Sequence, residues 1–85
     1  MEDPPEDGPA PPETVVDARG HRCPVPTLRL RRALERLQAG RRVLLIADDP
    51  LARIDVPYFV SEVGADLVAS STSEDGTLRF LIEKR

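Results

Sequence analysis

The spacing of apolar residues changes several times along the chain, and each change marks a predicted element of secondary structure. The β-branched segment 14–18 precedes Gly20 and predicts a first strand with its exit loop. The apolar segment 42–47 predicts a central strand. Between them, apolar side chains recur over residues 24–39 at the spacing of a helix that Gly40 terminates: Pro26, Leu30, Ala33, Leu34 and Leu37. These three elements predict a βαβ unit with a right-handed crossover.

A second helical region is predicted after residues 48–50. A proline inside a helix removes a backbone hydrogen bond, so Pro57 predicts two separate pieces rather than one continuous helix. Asp55 is expected to cap the second piece, which Gly64 ends. The apolar residues of this piece fall at helical spacing and are expected to face the sheet: Val56, Phe59, Val60 and Val63.

The last part of the chain predicts an antiparallel hairpin. Segment 67–69 and the alternating residues Leu78, Phe80 and Ile82 flank a turn signal at 74–76. The complete order is then βαβαββ. It predicts an α/β two-layer sandwich, in which two helices cover one face of a mixed four-stranded sheet and the other face is more solvated.

The first 13 residues differ in composition from the rest of the chain. They hold five acidic residues, no basic residue and five of the nine prolines. Such a segment buries too little apolar surface to fold, so residues 1–13 are expected to form a disordered acidic proline-rich tail before a single domain, 14–85. The formal charge of the whole chain is −3, but residues 14–85 contain ten acids and twelve bases. The predicted domain is therefore slightly basic.

Length and cysteine content exclude several functional classes. No apolar run reaches the roughly 20 residues that a membrane-spanning helix needs, and the N-terminus does not resemble a secretory signal. We therefore expect a cytoplasmic protein without a membrane partner. A single cysteine cannot form an internal disulfide or supply a clustered zinc site. Neither a metal site nor a bound cofactor is expected.

Cys23 is the strongest candidate for chemistry. The sequence Cys23-Pro24-Val25-Pro26 places the thiol where a loop enters the first helix, and Pro24 and Pro26 fix the direction of the helix start. Helix N-termini favour negative charge, and Arg19 and Arg22 add cationic charge nearby. The expected result is a thiol pKa below the ordinary value of about 8.5.

Other roles for Cys23 are less consistent with the sequence. A dithiol redox cycle needs a second, resolving cysteine, which this chain lacks. A Cys-His hydrolase would have to use His21, two residues away in the same loop, without an evident orienting group. An inert buried cysteine is disfavoured because burial at a helix start would leave backbone N–H groups without partners.

The sequence from Val16 to Pro26 resembles the opening of the TusA/SirA-like sulfurtransferase family, whose signature is a C-P-x-P box. The resemblance continues through Ile46 to Pro50, Asp55 to Phe59, Gly64 and Phe80 to Lys84, and so covers about residues 14–85. It implies a βαβαββ fold and a sulfur carrier that accepts persulfide sulfur on Cys23. The implied donor is a cysteine desulfurase, and the implied recipient is an acceptor protein.

The resemblance leaves the destination of the sulfur open. In one branch of the family it passes toward 2-thiouridine in tRNA, which is the expected route, and other branches resemble suppliers of molybdenum-cofactor assembly or sulfur oxidation. A rival from another class is a regulatory or RNA-binding module that uses the arginines around the first helix: Arg29, Arg31, Arg32, Arg36, Arg41 and Arg42. We do not expect direct nucleic-acid binding, since one face of a surface helix is usually charged.

A docking surface is predicted on the side of the first helix that faces away from the core stripe. At 100° per residue, Val25 and Leu28 lie on that side together with Arg32. Persulfide transfer needs two sulfur atoms to meet while water is excluded. A small apolar contact ringed by arginines would suit partners with acidic rims.

Overall fold

The computed structural model describes residues 14–85, so the predicted tail at 1–13 lies outside the described residues. The predicted order βαβαββ is confirmed. The four strands and two helices follow one another as β1 (Thr14–Asp17), α1 (Val25–Arg36), β2 (Arg42–Ala47), α2 (Ala52–Glu62), β3 (Asp66–Thr72) and β4 (Leu78–Glu83).

The strands form one mixed sheet in the order β1-β2-β4-β3. β1 pairs with β2 in parallel, with Asp17 opposite Ile46, and β4 is antiparallel to both β2 and β3. The carboxyl ends of β1 and β2 therefore lie at the same edge of the sheet. This arrangement places the loop after β1, which contains Cys23, beside the turn after β2.

The core lies between one face of the sheet and the two helices. Along β2 and β4 every second side chain is buried, as expected when only one face of a sheet is covered. α1 contributes the predicted apolar stripe, of which Pro26, Leu30 and Leu34 are buried. The core residues of the sheet and helices form one cluster: Val16, Ala18, Leu30, Leu34, Leu37, Val43, Leu45, Ala47, Ala52, Val56, Val60, Leu78, Phe80 and Ile82.

The prediction that Pro57 divides the second helical region is wrong. α2 is continuous with Pro57 inside it, and the residue before the helix is Leu51, so Asp55 lies in the first turn and is not the cap. The backbone N–H of Leu51 donates to the Asp49 carboxylate at 3.0 Å, and Asp49 thereby holds the helix entrance. Buried side chains lie on both sides of the proline, and their burial offsets the missing hydrogen bond: Ala52, Val56 and Val60. Val63, expected on the same face, is instead 42% exposed.

Core burial gives a direct stability prediction. Leu45 is fully buried in the central strand β2, so Leu45→Ala should lower the free energy of unfolding by about 2–5 kcal/mol. Leu28→Ala is the matched control, because Leu28 is 55% exposed and should change stability by less than about 0.5 kcal/mol. Urea unfolding followed by circular dichroism measures both. Equal effects of the two substitutions would contradict the described core.

Candidate functional site

Cys23 lies directly before the start of α1. Pro24 is the N-cap residue, joined to Cys23 by a cis peptide bond, and Pro26 lies in the first helical turn. The thiol therefore precedes the cap and does not form it. Cys23 is partly buried and packs against the hydrophobic core, while the chain around it from Arg19 to Arg22 is exposed.

Two carboxylates from the end of β2 fix the loop that carries Cys23. The backbone N–H of Cys23 donates to the Asp49 carboxylate at 2.9 Å, and the N–H of Gly20 donates to Asp48 at 3.0 Å. Gly20 has a φ of +84°, a conformation that glycine adopts without a steric penalty. Asp49 accepts hydrogen bonds from Cys23 and from the entrance of α2, so it ties the two elements together.

The charged groups that act on the thiol are negative, whereas the sequence predicted positive ones. The pKa of Cys23 is raised from 9.0 to about 11, first because burial disfavours the thiolate, then because of hydrogen bonding to Asp55 and the negative charges of Asp55 and Asp49. The expected pKa below about 8.5 is therefore wrong. The raised pKa favours the protonated thiol at neutral pH.

The two arginines expected to support a thiolate act on other groups. Arg19 makes an ion pair with Asp17 at 2.7 Å, through an exposed guanidinium, and this contact lowers the pKa of Asp17 to about 2. Arg22 contributes a small lowering of the pKa of Asp49, which is mainly lowered by the backbone hydrogen bonds from Cys23 and Leu51. Neither arginine is among the groups that move the Cys23 pKa.

The thiol opens into a shallow depression between the Cys23 loop and the turn after β2. Its walls include His21, Arg22, Asp48, Asp49 and Leu51. Among residues 14–85, no group of three or more His, Cys, Asp and Glu side chains is placed to hold a metal ion. None of the helices in the same range is long and apolar enough to cross a membrane.

Exposed apolar residues lie on both sides of the depression. On α1, Val25 is 36% exposed and Leu28 is 55% exposed, as expected for residues opposite the core stripe. On the other side, Leu51 lines the depression. Ile54 and Tyr58 follow Leu51 at helical spacing and are 70% and 67% exposed. This second set was not predicted from the sequence, although residues 51, 54 and 58 have the spacing of one helix face.

Comparison with known proteins identifies the family. The family profile described as "Sulfurtransferase TusA" matches residues 14–84. The chain belongs to this family. A protein of Archaeoglobus fulgidus named "putative sulfur carrier protein" is 41% identical over 68 residues, which cover 80% of this chain and 88% of the relative. The crystal structure of a SirA-like protein from Desulfitobacterium hafniense is also similar, with a TM-score of 0.73, 25% identity and coverage of 82% of this chain and 95% of that one.

Membership in the TusA family supports the predicted resemblance and the α/β sandwich. It also supports a role in sulfur transfer. Cys23 is the only cysteine of the sequence.

Proposed function

We propose that this protein is a sulfur carrier of the cytoplasm, which accepts persulfide sulfur on Cys23 from a cysteine desulfurase and passes it to an acceptor protein. The observation that carries the proposal is the placement of the sole cysteine of the sequence, partly buried before the start of α1, in the lining of an open depression. A partner's cysteine can approach such a thiol from solvent. The destination that we propose is the thiolation of uridine in tRNA.

The transfer step requires a thiolate on Cys23. That thiolate attacks the outer sulfur of the donor's cysteine persulfide, and the bond between the two donor sulfurs breaks. The donor leaves as a thiolate, and Cys23 becomes a persulfide. Delivery repeats the same exchange, with the acceptor's thiolate attacking the outer sulfur held by Cys23.

The raised pKa of Cys23 adds a condition to this step. At neutral pH only a small fraction of the free carrier is a thiolate, because burial, and then the hydrogen bond and negative charge of Asp55 and the charge of Asp49, raise the pKa of Cys23. We infer that transfer proceeds through this thiolate fraction, which proton loss from the thiol replenishes as it reacts. A protonated thiol in the free protein also reacts slowly with stray oxidants and electrophiles.

The arginine-rich face of α1 gives little support to the rival RNA-binding role. Two of its four helical arginines have partners within the domain. Arg29 donates to the carbonyl oxygen of Asp17 at 2.9 Å, and the Arg31 guanidinium lies 5.2 Å from the centre of the Phe59 ring. These contacts favour a structural role for both side chains over contact with nucleic acid.

Transfer of sulfur from the loaded carrier to an acceptor protein tests the second step of the proposal. Carrier loaded by a desulfurase is separated from the donor and mixed with a candidate acceptor of the tRNA thiolation route. We expect the carrier to lose one sulfur while the acceptor gains one, with Cys23→Ser protein as the control. Stable retention of sulfur with every acceptor of that route would contradict the proposed destination.

Substitutions at the predicted docking surface should slow transfer without changing the fold. Val25→Asp or Leu28→Asp places a charge on an exposed apolar residue in the first two turns of α1, the helix that follows Cys23, so we expect sulfur loading from the desulfurase to fall about tenfold or more. Arg32→Glu should reduce the association rate and its dependence on salt. Val68→Asp is the matched control, because Val68 is similarly exposed but lies on β3. Wild-type loading by all three α1 variants would remove this face from the mechanism.

A further inference from the structure

A basic groove separates β1 from the outer side of α1. It has a volume of about 520 Å³, and none of the residues that line it is acidic. The lining residues are Thr14, Val15, Val16, Leu28, Arg29, Arg32, Ala33 and Arg36. β1 is an edge strand of the sheet, so no further strand of residues 14–85 lies beside the groove on that side.

Only part of the positive charge of this groove has a partner within residues 14–85. Arg29 donates to the carbonyl oxygen of Asp17, which holds its side chain across the edge of β1. No carboxylate within residues 14–85 makes an ion pair with Arg32 or Arg36. Two guanidinium groups, about one helical turn apart, thus face a groove with apolar walls.

The acidic N-terminal segment joins the domain at this groove. Thr14, which lines the groove, directly follows Glu13. Because α1 runs back along β1 after the Cys23 loop, Arg36 lies toward the Thr14 end of the groove and Leu28 toward the thiol end. Residues 1–13 include five acids and no base. Thirteen residues can span up to about 40 Å, whereas the stretch from Arg36 to Leu28 spans about 12 Å.

We propose that the acidic segment 1–13 binds in the Arg32–Arg36 groove of the same molecule. The attachment point makes this an intramolecular interaction, with an effective concentration that can reach the millimolar range. Opposite charge draws the segment to the groove, and the attraction falls as salt screens it. The bound segment reaches the part of α1 that carries Leu28 and Arg32.

One consequence of this binding rests on the proposed function. Leu28 and Arg32 belong to the predicted docking surface for sulfur donors and acceptors. The acidic segment then competes there with the acidic rim of a partner and reduces unproductive encounters of the carrier. The binding itself does not depend on sulfur transfer, so it is tested without any partner.

Amide NMR chemical shifts of the full chain test the binding. The wild type is compared with a variant in which all five tail carboxylates are neutralised: Glu2→Gln, Asp3→Asn, Glu6→Gln, Asp7→Asn and Glu13→Gln. We expect shift differences at Leu28, Arg32, Ala33 and Arg36 in low salt, and their loss in 1 M salt, where the screening length is about 3 Å. Differences confined to residues 1–15 would overturn the proposal. Differences that grow with protein concentration would also overturn it, because they would place the segment on a second copy.

The groove side is tested by neutralising Arg32 and Arg36 in the full chain. Arg32→Gln with Arg36→Gln should move the amide shifts of residues 1–13 to the values that the wild type shows in high salt. Arg53→Gln is the control, because Arg53 is an exposed arginine of α2 outside the groove. Equal effects of the double variant and of Arg53→Gln, or no effect of either, would overturn the proposal. If binding is confirmed, a several-fold faster sulfur loading of the tail-neutralised variant in low salt supports the competition, and unchanged loading contradicts it.

Discussion

Replacing Cys23 with serine should abolish sulfur loading completely and leave the fold intact. The hydroxyl cannot form a persulfide, and the chain has no second cysteine to substitute for it. The side chain is only partly buried, so the free energy of unfolding should change by about 1 kcal/mol. Circular dichroism and urea unfolding measure stability, and sulfide released by reductant after incubation with a desulfurase measures loading.

The separation of stability from function is the informative part of this experiment. Tolerance of serine does not come from a helix cap, because Pro24 is the N-cap. It comes from a hydroxyl that takes the place of the thiol beside Asp55. If Cys23→Ser protein still releases sulfide, or if it unfolds, then Cys23 is not an independent carrier residue.

Neutralising Asp55 should make the Cys23 thiol more acidic. The carboxylate disfavours the thiolate through hydrogen bonding and negative charge, whereas the largest cause of the raised pKa, burial, remains in Asp55→Asn. We therefore expect a midpoint below about 11 that stays above the ordinary value of a free thiol. At pH 8, each unit of decrease raises the thiolate fraction about tenfold. The rate of alkylation by iodoacetamide, followed from pH 7 to above pH 11, measures both quantities.

A control separates this local effect from a change in net charge. Glu62→Gln removes an acid from the other end of the same helix and should leave the alkylation profile of Cys23 unchanged. A wild-type midpoint below about 8.5 would contradict the structural account and restore the prediction made from the sequence. An unchanged midpoint in Asp55→Asn would mean that Asp55 does not act on the thiol.

Much of the fold could be predicted because its strongest signals are local. The helical spacing of Pro26, Leu30 and Leu34 and the alternation in β4 each reflect one buried face. The continuous α2 could not be predicted in the same way. Whether Pro57 breaks a helix depends on how strongly Val56 and Val60 are held by the sheet, which is a property of the tertiary structure.

The place of Cys23 directly before the first helix could be predicted from the sequence, but the charges around the thiol could not. The Cys23 loop follows from the C-P-x-P sequence, and the nearby Arg19 and Arg22 suggested a stabilised thiolate. Closeness to Cys23 in the sequence did not indicate which charged groups act on the thiol. Arg19 pairs with Asp17, and the charged groups that act on the thiol are Asp55 and Asp49. The parallel pairing of β1 with β2 could have indicated Asp49, because it places the ends of both strands side by side. The position of Asp55 depends on the register of α2 and could not be derived from the sequence.

Loading of sulfur onto the wild-type chain tests the central claim most directly. The full chain is incubated with a cysteine desulfurase, pyridoxal phosphate and free cysteine, and its intact mass is measured before and after treatment with a reductant. We predict the addition of one sulfur atom, its location in the peptide that contains Cys23, and its complete removal by the reductant. A chain that gains no sulfur, or that gains sulfur at a site other than Cys23, would contradict the assignment of Cys23 as a persulfide carrier.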